Sequence, residues 1–558
     1  MSFSIFIIPL SILFLYFSLT GLGSIFFKIC SFDKKYSNLI FPIVSFPIIF
    51  FIVTILHLFT KLNPIYNFSI IFISLLLFIF NFKKLFIFNF NKKVNLIIFF
   101  LTLALVSIQF IGHKVNEDYG YYHLPYIVNF ISDKLIFGLS HLSMVQGYNS
   151  AWLNVSAFFY FPFLTDKFIH FANSVLFFSV LIYFFNFLFN KKNIYNFPLS
   201  SLYSLLAISF FLIKNSRLNS FGVDVPGHIY ASIIFFLFLN FCENKDFVFR
   251  KITFYIISFF SIFVILIKLS YIPLILIPFI CLFFEKKILN IKLFIFLFSF
   301  GISWVIQQVA YTSCVIFPLD FTCFNFLSWY SESFINGAAF SLEYINKSYW
   351  VYEGSLTESE YVKNFNWVGT WFSRNLIELI ENIIIFIIIL FSLLIVNFFS
   401  KKNFKAPIKS YLLVAMIPIF FGFLLWFLKA PVTRYGIFYL NSFILLIFLF
   451  LFEGRLISNL NYKFIIIVLS ISLTFNITKN INRISKLDPY ENFPFPKKIK
   501  IVYDSVKNNN LTFNSPISQG DVQSSVCWDT PVYCRAGKFD NINIIKKNSY
   551  TFITPKKF

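Results

Sequence analysis

Long apolar runs separated by short polar ones recur from the N-terminus to about residue 478, and the pattern fades only in the tail. A helix needs about 20 apolar residues to cross a bilayer. The runs predict fourteen candidate spans: 4–27, 38–60, 66–82, 95–112, 168–190, 198–214, 226–242, 252–268, 270–284, 292–310, 382–399, 410–428, 436–453 and 463–478. The first lacks the basic start and small-residue cleavage site of a signal peptide, so it reads as a retained span. One further apolar run, 150–164, would upset the series if it crossed. Its Trp152, Asn154, Ser156 and Pro162 suit a headgroup region and predict an interfacial or re-entrant helix.

Lysine clusters occupy alternate loops: Lys34 and Lys35, Lys83 and Lys84, Lys191 and Lys192, Lys286 and Lys287, Lys401 and Lys402. By the positive-inside rule these loops are cytoplasmic. The opposite face then receives residues 113–167, 215–225, 311–381, 429–435 and the tail from about 480. The fold class expected is an all-α polytopic membrane protein with about 14 transmembrane helices and a small extracytoplasmic β-containing domain. Three parts follow: N-terminal helices 1–112, a membrane core 113–478, and a polar tail 479–558 with short β-like runs at 498–503 and 550–554.

Composition sharpens this picture. Charged residues make up 13% of the 558, against about 25% in soluble domains, and mean hydropathy is +0.78. A net charge of +22 raises the question of nucleic acid, but the lysines punctuate apolar spans instead of forming one basic surface, so no nucleic-acid partner is expected. The partner expected is the lipid bilayer. The 88 Phe residues rise together with Ile, Asn and Lys while Arg is scarce, which is the mark of a base-composition drift. A retained Arg is therefore informative, because its planar fork grips phosphate or carboxylate in a way Lys does not.

Cys527 and Cys534, in the segment CWDTPVYC of the outer tail, are expected to pair in an oxidising compartment, and Cys314 and Cys323 likewise. Cys30, Cys242 and Cys281 read as packing residues. No Cys and His grouping has the spacing of a zinc site.

Candidate chemistry gathers in the outer loops. The segment HKVNEDYGYYHLPY sets Glu117 and Asp118 at the membrane surface, where a carboxylate can act as a general base or merely offset a helix dipole. His113, Tyr119, Tyr121, Tyr122 and His123 crowd the same stretch. Two crossings later, SRLNSFGVDVPGHIY presents Arg217, Asp224 and His228 on the same side; Asp224 also suits a helix start. Loop 311–381 adds Glu332, Glu343, Glu353 and Arg374, and most of these acids read as solvated surface. In FLKAPVTRYGIFY, Lys429 and Arg434 fall in a tight outer turn, where Arg434 is a snorkelling anchor or a phosphate ligand.

An acidic first outer loop, two crossings and a second outer Asp resemble the GT-C superfamily of membrane glycosyltransferases. The phrases EDYGYYHLPY, GLSHLSMVQGYNSAW, SCVIFP, WFLKAPVTRYG and CWDTPVYC look like those of a family of bacterial multipass proteins described as GT-C-like, from about residue 113 to the end. The resemblance implies a glycosyltransferase with a GT-C-like core and a polyprenyl-phosphate sugar donor held between spans at the outer face. Asp118, helped by Glu117, would deprotonate the acceptor hydroxyl, with Arg434 or Arg217 on the donor phosphate and Asp224, His123 and Tyr122 around the substrate. Some relatives hold a divalent metal through the acids matched here by Asp118 and Asp224 together with a later Glu, and others need none. Two other readings compete: a transporter or flippase for a lipid-linked glycan, and a non-catalytic assembly scaffold. Transport favours ionisable residues near the bilayer midplane, whereas here they cluster at span ends.

Overall fold

The computed structural model describes residues 2–29, 37–85, 93–112, 118–161, 166–190, 198–215, 217–218, 222–289, 291–348, 354–398, 409–452, 462–487, 494–495, 501–508, 511–517, 526–535 and 541–556. The helices used below are α1 (Ser2–Ile29), α2 (Phe41–Phe59), α3 (Pro64–Phe80), α4 (Lys93–Ile111), α5 (Leu124–Ser132), α6 (Ala151–Phe158), α7 (Phe171–Leu188), α8 (Leu199–Lys214), α9 (Asp224–Glu243), α10 (Phe247–Ile267), α11 (Leu276–Phe284), α12 (Ile291–Thr312), α13 (Glu332–Ser348), α14 (Val368–Phe398), α15 (Lys409–Lys429), α16 (Thr433–Phe452) and α17 (Tyr462–Ile484).

Among the described residues, ten helices are long and apolar enough to cross a membrane: α1, α2, α7, α9, α10, α12, α14, α15, α16 and α17. The other four expected spans are present as shorter apolar helices, Pro64–Phe80, Asn95–Ile111, Leu199–Lys214 and Leu269–Phe284. At 1.5 Å per residue, about 17 residues reach roughly 25 Å, short of the ~30 Å hydrocarbon core. The last of the four also begins in 3-10 geometry, Leu269–Ile275, with Pro273 inside it.

Helices of this composition gain little from burying one apolar side chain against another when lipid is the alternative, so close approach and polar contacts decide the packing. Gly21 and Gly23 let α1 touch its neighbours' backbones: a Cβ at Gly21 would stand 2.0 Å from the Ser74 carbonyl oxygen, and one at Gly23 1.9 Å from that of Phe41. Run 150–164 supplies α6, too short to cross. Its Asn154 meets protein partners: Asn154 Nδ2 donates to Thr54 Oγ1 and Gln307 Oε1, both at 2.9 Å, and Tyr126 donates to Asn154 Oδ1 at 3.0 Å. Every α6 residue is buried against the rest of the protein.

At one end of the bundle Arg250 ties three helices, reaching Glu285 Oε2 at 3.2 Å and the Tyr411 hydroxyl at 3.0 Å. The tail is a small β structure at the other end. Strands β2 (Tyr503–Asn508) and β3 (Leu511–Pro516) form an antiparallel hairpin, while β4 (Ile542–Lys547) and β5 (Tyr550–Pro555) pair antiparallel and extend in parallel onto β1 (Ile136–Phe137) from the first large loop. The run expected at 550–554 is thus a strand; of that at 498–503, only the end is described, and β2 begins at Tyr503. Cys527 and Cys534 are joined by a disulfide, as are Cys314 and Cys323.

Candidate ionic site at the loop end of the bundle

Four helix ends carry charged side chains to one place. Asp118 precedes a turn of π-helix, Tyr119–His123, that leads into α5 with Pro125 in its first turn. Asp224 opens α9 with Pro226 two residues on. Lys268 stands where α10 stops, because its backbone is extended (φ −156°, ψ 121°). Arg434 lies in the first turn of α16, after the Pro431 turn that leaves α15.

The geometry is that of a charge-balanced bridge. Arg434 Nε lies 3.4 Å from Asp224 Oδ2, and Arg434 Nη1 lies 3.9 Å from Asp118 Oδ2. Lys268 Nζ donates to the other Asp224 oxygen, Oδ1, and stands 3.2 Å from the centre of the Tyr435 ring, a cation–π contact. His228, one turn into α9, contacts the Arg434 carbonyl oxygen through Nε2 at 2.6 Å and so fixes the start of α16. Two carboxylates and two cations sum to zero, which lets the cluster sit at a protein-lined surface without a large desolvation penalty. Arg434 nevertheless keeps 46% of its side-chain surface exposed, so a ligand can reach it.

Tyr122 and His123 border the cluster. Burial, then the negative charge of Asp118, pushes the Tyr122 phenol well up, so it stays protonated and is a hydrogen-bond donor. Burial holds the His123 imidazole down to about 3, against the pull of Asp224 in the other direction. It is therefore neutral at physiological pH. Of the residues expected from sequence, Asp118, Asp224, Arg434, Tyr122 and His123 come together. Arg217 does not: it is exposed, and its electrostatic neighbours are Lys479 and Arg483. Glu117 and His113 lie outside the described residues, as does Glu353.

The tail packs against the turn that follows Asp118. Trp528 N donates to the Gly120 carbonyl at 2.9 Å, and its indole packs 5.5 Å from the Tyr119 ring. Tyr533 donates to Asp133 Oδ2 at 2.6 Å, and the Tyr550 hydroxyl to the Leu58 carbonyl at 3.0 Å, which fastens the tail to the first loop and to α2.

Two residues of the site escaped the sequence reading, Lys268 and Tyr435. The signal for Lys268 was present: it is a lone cation between two apolar runs, 252–268 and 270–284, at a turn on the same side as Asp118. Asp118 and Asp224 share the Arg434 guanidinium, and among the described residues no group of three His, Cys, Asp or Glu is placed to hold an ion.

No curated protein and no solved structure matches the chain. A family model does match, over residues 5–441, which takes in the first four helices and all four ionic residues and stops before the tail. The chain therefore belongs to the family described as Domain of unknown function (DUF8201).

Proposed function

We propose that this protein is a membrane glycosyltransferase with a GT-C-like core, moving a sugar from a polyprenyl-phosphate donor to an envelope acceptor at the outer face of a bacterial inner membrane. In this reading the four shorter helices also cross, giving fourteen crossings in all, and the tail is extracytoplasmic. The observation that supports it best is the convergence of Asp118 and Arg434, residues far apart in sequence, on one partly open site.

The chemistry asked of the site is simple to state. An acceptor hydroxyl must lose a proton as it attacks the anomeric carbon, and Asp118 is the carboxylate placed to take it. The bond from that carbon to the donor phosphate breaks with its electron pair on the phosphate oxygen, and Arg434 with Lys268 offsets the charge that develops there. A phosphate arriving at Arg434 replaces a carboxylate partner with a phosphate partner, which frees Asp118 to act as base. Tyr122, protonated, is a donor for a sugar or phosphate oxygen.

Mass spectrometry of envelope glycans from cells with and without the protein tests this reading. Loss of one sugar from a glycan supports it. Accumulation of an intact lipid-linked precursor on the cytoplasmic side would replace it with transport.

A further inference from the structure

A second cluster of charge at the same end of the bundle is not used by the proposed reaction. Lys214 ends α8 and Arg217 follows it; Lys479 and Arg483 lie one turn apart at the end of α17. The two helix ends are pinned level. Asn476 of α17 donates to the Leu212 carbonyl of α8; within α17, Arg483 Nη1 donates to Asn480 Oδ1 at 3.2 Å. A Cβ on Gly112, six residues before Asp118, would meet Asn480 Oδ1 at 2.7 Å, which sets this cluster at the level of the first loop. The charged groups acting on Lys479 are Arg483, Lys214 and Arg217, opposed by Glu381 of α14 alone among the described residues. Glu381 is already engaged by Lys214 Nζ at 3.1 Å.

Among the described residues, three positive groups and one acid thus act on Lys479 at this helix end. What lies below the cluster indicates what it holds. On α17 the exposed side chains Ile467, Ile471 and Phe475 step by four residues and lead to Lys479 and Arg483, and Lys479 Nζ stands 5.3 Å from the centre of the Phe475 ring. On α14 an exposed stripe of Ile395, Phe391, Ile388 and Ile384 ends at Glu381. Both helices flank α8. The α17 stripe, which terminates in cations, matches a molecule with hydrocarbon chains and an anionic head.

We propose that the ends of α8 and α17 form a seat for an anionic phospholipid of the bilayer, its headgroup phosphate held by Lys479, Arg483, Lys214 and Arg217, separate from the Arg434 site. Guanidinium and ammonium groups near a membrane surface each strengthen binding of anionic lipid by about 5-fold. The seat anchors the short helix α8, whose length alone does not fix it at the headgroup level.

The full chain in detergent, titrated with phosphatidylglycerol or phosphatidylcholine and followed by native mass spectrometry, tests the proposal. Phosphatidylglycerol is expected to bind in preference. The double variant Lys479→Ala/Arg483→Ala should lower its affinity about 25-fold, while the equally charged control Lys546→Ala/Lys547→Ala, on an exposed tail strand, should leave it unchanged. Arg217→Gln, in an exposed loop position, gives the same readout at about 5-fold if the double variant does not fold. Equal binding of phosphatidylcholine, or unchanged affinity in both variants, would overturn the proposal. So would displacement of phosphatidylglycerol by stoichiometric polyprenyl phosphate, because the seat would then belong to the donor.

Discussion

The indole of Trp528 stands where a side chain on residue 120 would have to go: a Cβ added to Gly120 would meet Trp528 Cε2 at 2.2 Å. Gly120 lies two residues from Asp118, so the tail and the candidate base are coupled through this contact. Gly120→Ala should push the indole away and loosen the tail, at a cost of about 1–3 kcal/mol. Faster proteolytic loss of the tail together with reduced transfer is the expected outcome. Cys527→Ser, which opens the disulfide beside Trp528, should act in the same direction with at most about 3 kcal/mol. Melting curves and limited proteolysis of purified protein measure both.

Lys268→Met removes one of the two cations holding Asp224. The loss of a charge-assisted hydrogen bond should destabilise the protein by about 1–3 kcal/mol, and adding Asp224→Asn should recover part of that because the carboxylate no longer needs a partner. A double-mutant cycle in thermal unfolding checks the coupling. Strict additivity of the two changes would show that the ion pair contributes nothing.

The pH dependence of stability carries a sign that can be worked out. His123 has its folded pKa held down to about 3 by burial, while an unfolded chain takes up the proton below its ordinary 6.5. The unfolded state therefore binds more protons between these values, and stability falls as pH drops from about 6.5 toward 3, by up to about 1.4 kcal/mol per unit. In His123→Gln that contribution is absent. The difference in unfolding free energy between wild type and variant should shrink steadily from pH 7 to pH 4.5; a constant difference would contradict the burial of a neutral imidazole.

Loop orientation is testable by labelling single engineered cysteines with an impermeant thiol reagent in intact cells. Residues 311–381 and the tail should react, and residues 83–94 and 400–409 should not, by the lysine asymmetry. Reactivity at 405 without reactivity at 356 would invert the arrangement.

Periodicity and hydropathy carried much of the fold, because a membrane crossing leaves its mark in one contiguous stretch. The shorter apolar helices were legible in place but not in form: nothing in the apolar run 270–284 announces that it begins as a 3-10 helix at Leu269. The pairing of β1 with β5 was beyond reach, since a two-residue strand at Ile136 has no pattern to read and its partner lies at the far end of the chain. At the site, Asp118, Asp224 and Arg434 were legible as rare charges at span ends. Lys268 was legible as a lone cation where two apolar runs meet but was not singled out, and the rarity of Arg217 says nothing about which neighbours it meets.

The central claim is that Asp118 accepts the acceptor's proton while Arg434 binds the donor's phosphate, and one paired measurement separates these roles from a purely structural ion bridge. Donor binding and turnover are measured independently in purified, detergent-solubilised Asp118→Asn and Arg434→Lys proteins. Asp118→Asn should bind donor normally and turn over about 100-fold or more slowly, whereas Arg434→Lys should weaken donor binding, because a point charge replaces a fork. Near-normal transfer by Asp118→Asn would contradict the account.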